Sequence, residues 1–220
     1  AVEPANGDIV VANGNAPWNG RPTWGHSVIV HSPDASRMLR HWPPADSQHL
    51  NDSDLDLGST SPSFIGKNGL AVQGGKDGKL RLLNLHRLPG VNAKTGGELQ
   101  TVPLPGNTDE FAQPTVWRNR WVFVTTGAGT AAWLLQGGRL HAAWSNSTGG
   151  TTPVIAGSLL YVAGGGAVHV YVPTSGREVA SLPTGDNHWQ SPIVAAGRVA
   201  IPEGNANSHS TSGYLDIFKR

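Results

Sequence analysis

The sequence predicts an all-β chain of about five repeats, each built from four short antiparallel strands. Three observations predict it. The chain holds 29 Gly and 16 Pro in 220 residues, more than ordinary usage, which favours short strands joined by turns over long helices. One segment type recurs, led by Pro62, Pro114, Pro153 and Pro192 at separations of 52, 39 and 39 residues. Within each copy apolar residues alternate with period two, the pattern of strands.

In chain order, an opening copy begins at Ala1, with strands at 8–12 and 26–31. Each later copy passes from its Pro through Gly69, Asn119, Gly157 or Gly197 into a strand at 70–72, 121–124, 159–162 or 199–201. A second strand follows at 79–85, 130–136, 167–172 and 214–218. Several copies then show a turn and a third periodic stretch: 33–37 leading to Trp42, 94–97 leading to Leu99, 137–139 leading to Trp144, and 173–177 leading to Val179. Gly supplies the positive φ such hairpins need. With the Pro-led segment as innermost strand, each unit has about four strands, and the repeats fall at 1–50, 51–106, 107–147, 148–185 and 186–220. The interval after Pro62 is lengthened by an insertion around 85–94. Four-stranded units of ~40 to 50 residues read as β-propeller blades; a β-sandwich with incidental hairpins is the alternative.

Composition removes several functions. A formal net charge of +1 with no basic run leaves no electrostatic footprint for nucleic acid. No segment approaches the ~18 consecutive apolar residues of a membrane helix, and Ala1-Val2-Glu3-Pro4 is no signal peptide. Zero Cys excludes disulfides, thiolate nucleophiles, Fe–S clusters and cysteine-bound zinc. Nine His show no zinc-protease spacing, and neither a serine elbow nor a phosphate loop is present. The Asn51 and Asn146 glycosylation sequons matter only in a glycosylating host.

Residues 74–83, 171–179 and 32–42, with their Gly-rich hairpins and turn-plus-Trp tails, resemble the quinoprotein-type (PQQ-like) propeller repeat. The resemblance covers essentially the whole chain. It implies that Trp42 and Trp144 are structural, each docking between adjacent blades. Because complete members have seven or eight blades, it also implies the C-terminal portion of a larger propeller, or a chain that needs a partner to close. Exposed strand edges are expected at 1–12 and 214–220.

Segments entering the innermost strands would lie at the mouth of a central channel. There the sequence places Asp52, Asp54 and Asp56, then 108–113, 147–152 and 186–190. If the Asp-x-Asp-x-Asp run were a strand, its carboxylates would share one side and suit Ca2+, with Asp54 and Asp56 as metal ligands. It departs from an EF-hand at Leu57 and Ser63, and a solvated loop of turn-capping Asp residues is the plainer reading. Asp109, Glu110, His188 and Trp189 are the candidate ligand-binding residues, carboxylates and imidazole beside one aromatic platform. The hairpin at 202–209 carries calcium-type acceptors but also reads as a surface loop, and the insertion at 15–24 brings Trp18 and Trp24 as an edge cover or a stacking surface.

The function expected is a non-catalytic, exported propeller, extracellular or periplasmic, acting as a binding or scaffold module for a protein partner or a small polar or glycan ligand at the channel mouth. The alternative carried by the resemblance is a quinoprotein alcohol or sugar dehydrogenase, or a fragment of one, using PQQ and Ca2+. Alcohol-oxidising members stack the quinone between a Trp and a disulfide of adjacent cysteines. This chain has no Cys, and no catalytic residue carries over.

Overall fold

The computed structural model describes residues 1–17, 19, 23–88, 95–185, 187–204, 206–209 and 212–219. Of the segments singled out above, Trp18, residues 20–22 and 89–94, Asp186, Asn205 and Arg220 lie outside the described residues.

Five antiparallel sheets follow one another along the chain. The first joins β1 (Ile9–Ala12), β2 (Val28–His31) and β3 (Met38–Trp42). The second joins β4 (Ser63–Ile65), β5 (Leu70–Gln73), β6 (Lys79–Asn84) and β7 (Gln100–Pro103). The third comprises β8 (Thr115–Trp117), β9 (Trp121–Thr126), β10 (Gly129–Gln136) and β11 (Arg139–Asn146). The fourth comprises β12 (Val154–Ala156), β13 (Leu159–Gly164), β14 (Ala167–Tyr171) and β15 (Glu178–Pro183). The fifth comprises β16 (Ile193–Ala195), β17 (Arg198–Pro202) and β18 (Leu215–Lys219). Within each sheet the strands pair in sequence order. Ala1 and Val10 exchange two backbone hydrogen bonds of 2.8 Å, and Val2 bridges Ile9, so the first residues extend the first sheet along the edge of β1 opposite β2.

The Pro-led strands lie side by side, β4 against β8, β8 against β12 and β12 against β16. Hydroxyls one residue after the prolines seal this inner seam. Ser63 Oγ donates to the Pro114 carbonyl and Thr115 Oγ1 to the Pro153 carbonyl. Each sheet's apolar face then packs on its neighbour. Between the first and second sheets the core holds Val10, Val28 and Val30 against Ala71, Leu83 and Leu85. Between second and third it holds Leu80, Leu82 and Val102 against Val122, Val124 and Trp133. Trp121 and Phe123 meet Leu160, Val162 and Tyr171 between third and fourth. Between fourth and fifth the core cluster of described residues is smaller, Ala163, Val168 and Ile201, with Tyr161, Leu182, Val199 and Phe218 packed less deeply around them.

Trp42, 0% exposed, lies in the core shared by the first two sheets, with the Arg81 guanidinium 5.8 Å from its ring centre. Arg81 is itself buried and forms a two-pronged ion pair with Asp77. Trp144 is half-buried. Its Nε1 donates to the Pro173 carbonyl at 2.7 Å, and its ring lies against Gly176, where a Cβ would come within 2.6 Å of the indole. Gly176 also has φ +67°, so the turn between β14 and β15 needs glycine for backbone and space alike.

The acidic run is not a strand. Asp52 ends a short helix, α1 (Ser47–Asp52), anchored by buried Leu50, and Asp54 has a left-handed φ of 55°. The three carboxylates therefore do not share one side, because helical and left-handed backbone replaces period-two alternation. Asp52 instead accepts a hydrogen bond from Gln48 Nε2 at 2.7 Å.

Candidate functional site

The loops that lead into the inner strands of the third, fourth and fifth sheets surround a pocket of about 760 Å³. Its wall comes from Thr108 and Asp109, from the 147–152 loop, and from Asn187, His188 and Trp189. The 147–152 loop carries only Ser, Thr and Gly, so small hydroxyls and bare backbone form that side.

Two aromatic side chains reach this pocket from opposite loops. Phe111, 44% exposed, and Trp189, 54% exposed, meet edge to face with ring centres 5.4 Å apart, a favourable quadrupole geometry. His188 stacks edge-on against Trp189 at 4.3 Å. The imidazole is held from behind, its Nε2 2.9 Å from Asn207 Nδ2, and its backbone N–H donates to Gln190 Oε1 at 2.7 Å. Gln190 in turn donates to the Gly204 carbonyl at 2.6 Å. Gly204 and Asn207 thus brace the aromatic loop from behind.

The pocket's polar groups include two unsatisfied hydroxyls. Thr125 and Thr151 line it, both are buried, and neither Oγ1 has a hydrogen-bond partner. A buried hydroxyl without a partner costs about 1–3 kcal/mol. Thr151 falls in a segment marked from sequence; Thr125 was missed. Its signal was there, since Thr125 interrupts the apolar face that Trp121 and Phe123 begin in β9.

Asp109, His188 and Trp189 come together at this pocket. Glu110 does not line its wall. It is 0% exposed, and its carboxyl lies where a Cβ on Gly74 would stand. Neither carboxyl oxygen has a partner, and burial pushes the group well above the usual carboxylate range. Adjacent residues of an extended loop face opposite ways, so Asp109 reaches solvent and Glu110 the space between sheets.

Asp54 and Asp56 sit in an adjoining region. Asp56 shares with Phe111 a second, smaller pocket of about 430 Å³. Lys76 Nζ stands 2.6 Å from Asp56 Oδ2 and 3.6 Å from Asp54 Oδ2, and the Asp56 hydrogen bond holds this ammonium above its ordinary pKa. The lysine occupies the position a cation would take between the two carboxylates. Among the described residues no three His, Asp or Glu side chains gather at metal-binding distance.

These residues do not fit PQQ with Ca2+. The quinone is a polycarboxylate that needs cationic partners, whereas the described lining of the large pocket has Asp109 and no Lys or Arg. The Asp54–Asp56 pair is already occupied by the Lys76 ammonium, which cancels one of its two charges.

Five successive antiparallel sheets, packed face to face and with the last four joined along their inner strands, define a β-propeller-type protein. The particular likeness is to BamB from Moraxella catarrhalis, with a TM-score of 0.64 at 15% identity over 99% of this chain and 56% of that one. The chain spans about half the length of that protein. The computationally designed Ika4 protein is also similar, with a TM-score of 0.49 at 11% identity over 69% of this chain and 85% of that one. No family model matches the sequence, and no curated protein matches it.

Proposed function

We propose that this chain is a non-catalytic, exported propeller that acts as a scaffold, holding an extended segment of a protein partner in the pocket bounded by Asp109, His188 and Trp189. The observation that carries the reading is the exposed Phe111–Trp189 pair beside the hydroxyl- and backbone-lined 147–152 loop. Exposed aromatics over a polar wall suit a peptide, whose side chains stack on the rings while its backbone amides bond to the hydroxyls and bare backbone of the 147–152 loop. Export, to the periplasm or beyond the cell, belongs to the same reading through the PQQ-like resemblance.

A displayed library of random linear peptides, selected on the native chain and counter-selected on Trp189→Ala, tests this. Trp189 is largely exposed, so its removal should alter stability by less than about 0.5 kcal/mol. Peptides enriched on the native chain and lost from Trp189→Ala and Asp109→Asn support the proposal. Equal enrichment on all three, or binding confined to a glycan array, overturns it.

A further inference from the structure

A further cavity, of about 640 Å³, opens between the fourth and fifth sheets. The strand registers explain why it is there. In the third sheet Trp117 pairs with Trp121, Phe123 with Ala132, and Ala132 with Trp144. In the fourth sheet the same three rungs are Ala156 with Leu159, Tyr161 with Val170, and Val170 with Ala180. Position by position, three tryptophans of the third sheet become Ala156, Leu159 and Ala180. The tryptophans pack into the interface between the third and fourth sheets. All three replacements line the cavity one interface further on.

The remaining wall is Tyr161, Leu182, Val194, Val199 and Phe218, an apolar surface complementary to hydrocarbon or aromatic carbon. Arg198 and Lys219, paired across β17 and β18, line it as well, and no carboxylate stands among its described lining residues. Two cations beside an apolar slot whose tryptophan plugs are missing select one chemistry. We propose that this cleft binds an amphipathic organic anion, an apolar body inserted between the sheets with one anionic head at Arg198 and Lys219. The site is separate from the pocket at the channel mouth and shares no lining residue with it.

The probe is anilinonaphthalene sulfonate, an apolar aromatic anion whose fluorescence rises on leaving water, followed by its displacement with dodecanoate or with dodecanol. One saturable site per chain is expected, with dodecanoate displacing the probe better than dodecanol. Ala180→Trp restores one missing plug and should abolish saturable binding. Ala156→Trp repeats the test from the other sheet edge if the first variant does not fold. The double change Arg198→Gln with Lys219→Gln should weaken probe and dodecanoate by about five- to thirtyfold, two partly exposed charges at ~1 kcal/mol or somewhat less each, and leave dodecanol unchanged. Unchanged binding by either Trp variant that folds, or equal loss of dodecanoate and dodecanol in the charge variant, overturns the proposal. So does binding that weakens as protein concentration rises while sedimentation shows a dimer, because the cleft's occupant is then a second copy of the chain.

Discussion

Replacing Trp144 by Ala and Gly176 by Ala, singly and together, tests how one sheet docks on the next. Trp144→Ala removes a half-buried indole and its 2.7 Å bond to the Pro173 carbonyl. A fully buried Trp costs about 3–5 kcal/mol to truncate, so the half-buried one should cost about 2–3 kcal/mol. Gly176→Ala is penalised twice. Its φ of +67° costs a non-glycine residue about 1 kcal/mol, and its new Cβ would stand 2.6 Å from the indole, overpacking worth about 1–3 kcal/mol. Once Trp144 is gone the clash disappears and only the backbone cost remains. The double variant should therefore be about 1–3 kcal/mol more stable than the sum of the single losses predicts. Urea unfolding followed by far-ultraviolet circular dichroism measures all four corners, provided the slopes agree. Additivity within about 0.5 kcal/mol would refute the docking contact.

Two further outcomes follow from buried side chains. Trp42→Ala, at a fully buried position between the first two sheets, should cost about 3–5 kcal/mol, and iodide should quench Trp42 less than exposed Trp189; a neutral substitution or easy quenching would contradict the packing. Glu110→Gln should stabilise the chain at neutral pH. The folded carboxyl titrates well above its ordinary value of 4.5, so the unfolded chain releases that proton first and the native protein loses stability as pH rises past about 4.5. The gap between variant and native melting temperatures should open above that pH and close below it; a gap independent of pH would show that the carboxyl is not held neutral.

The strands were legible because each repeats a Pro, a turn and a period-two run. The expected strand at 121–124 is β9 (Trp121–Thr126), and that at 167–172 is β14 (Ala167–Tyr171). Local pattern failed where backbone departs from the repeat. Asp52 to Asp56 alternate as a strand would, yet Leu50 reaches a buried site only if the chain turns helical just before them. Glu110 reads as a rim carboxylate beside Asp109, and only the absent side chain of Gly74, in a different repeat, creates the space that buries it. Thr125 and Thr151 needed three dimensions for a similar reason. Their hydroxyls look like ordinary turn chemistry until neighbouring sheets enclose them without a partner. The cleft beside β15 is visible only when two sheets are compared rung by rung, because each sheet alone looks regularly apolar.

The hydroxyl seam along the inner strands gives the array a direction. Ser63 and Thr115 each reach forward to the proline carbonyl of the following sheet, but the residues in that position of the fourth and fifth sheets are Val154 and Ile193, which have nothing to donate. The stitching therefore stops after the fourth sheet, at the same boundary where the core cluster dwindles to Ala163, Val168 and Ile201. In a row of modules held by nearest-neighbour contacts, the weakest joint decides which module opens first. Here that joint lies between the fourth and fifth sheets, so the fifth sheet should be the first of the five to open while the tryptophan-filled centre stays shut.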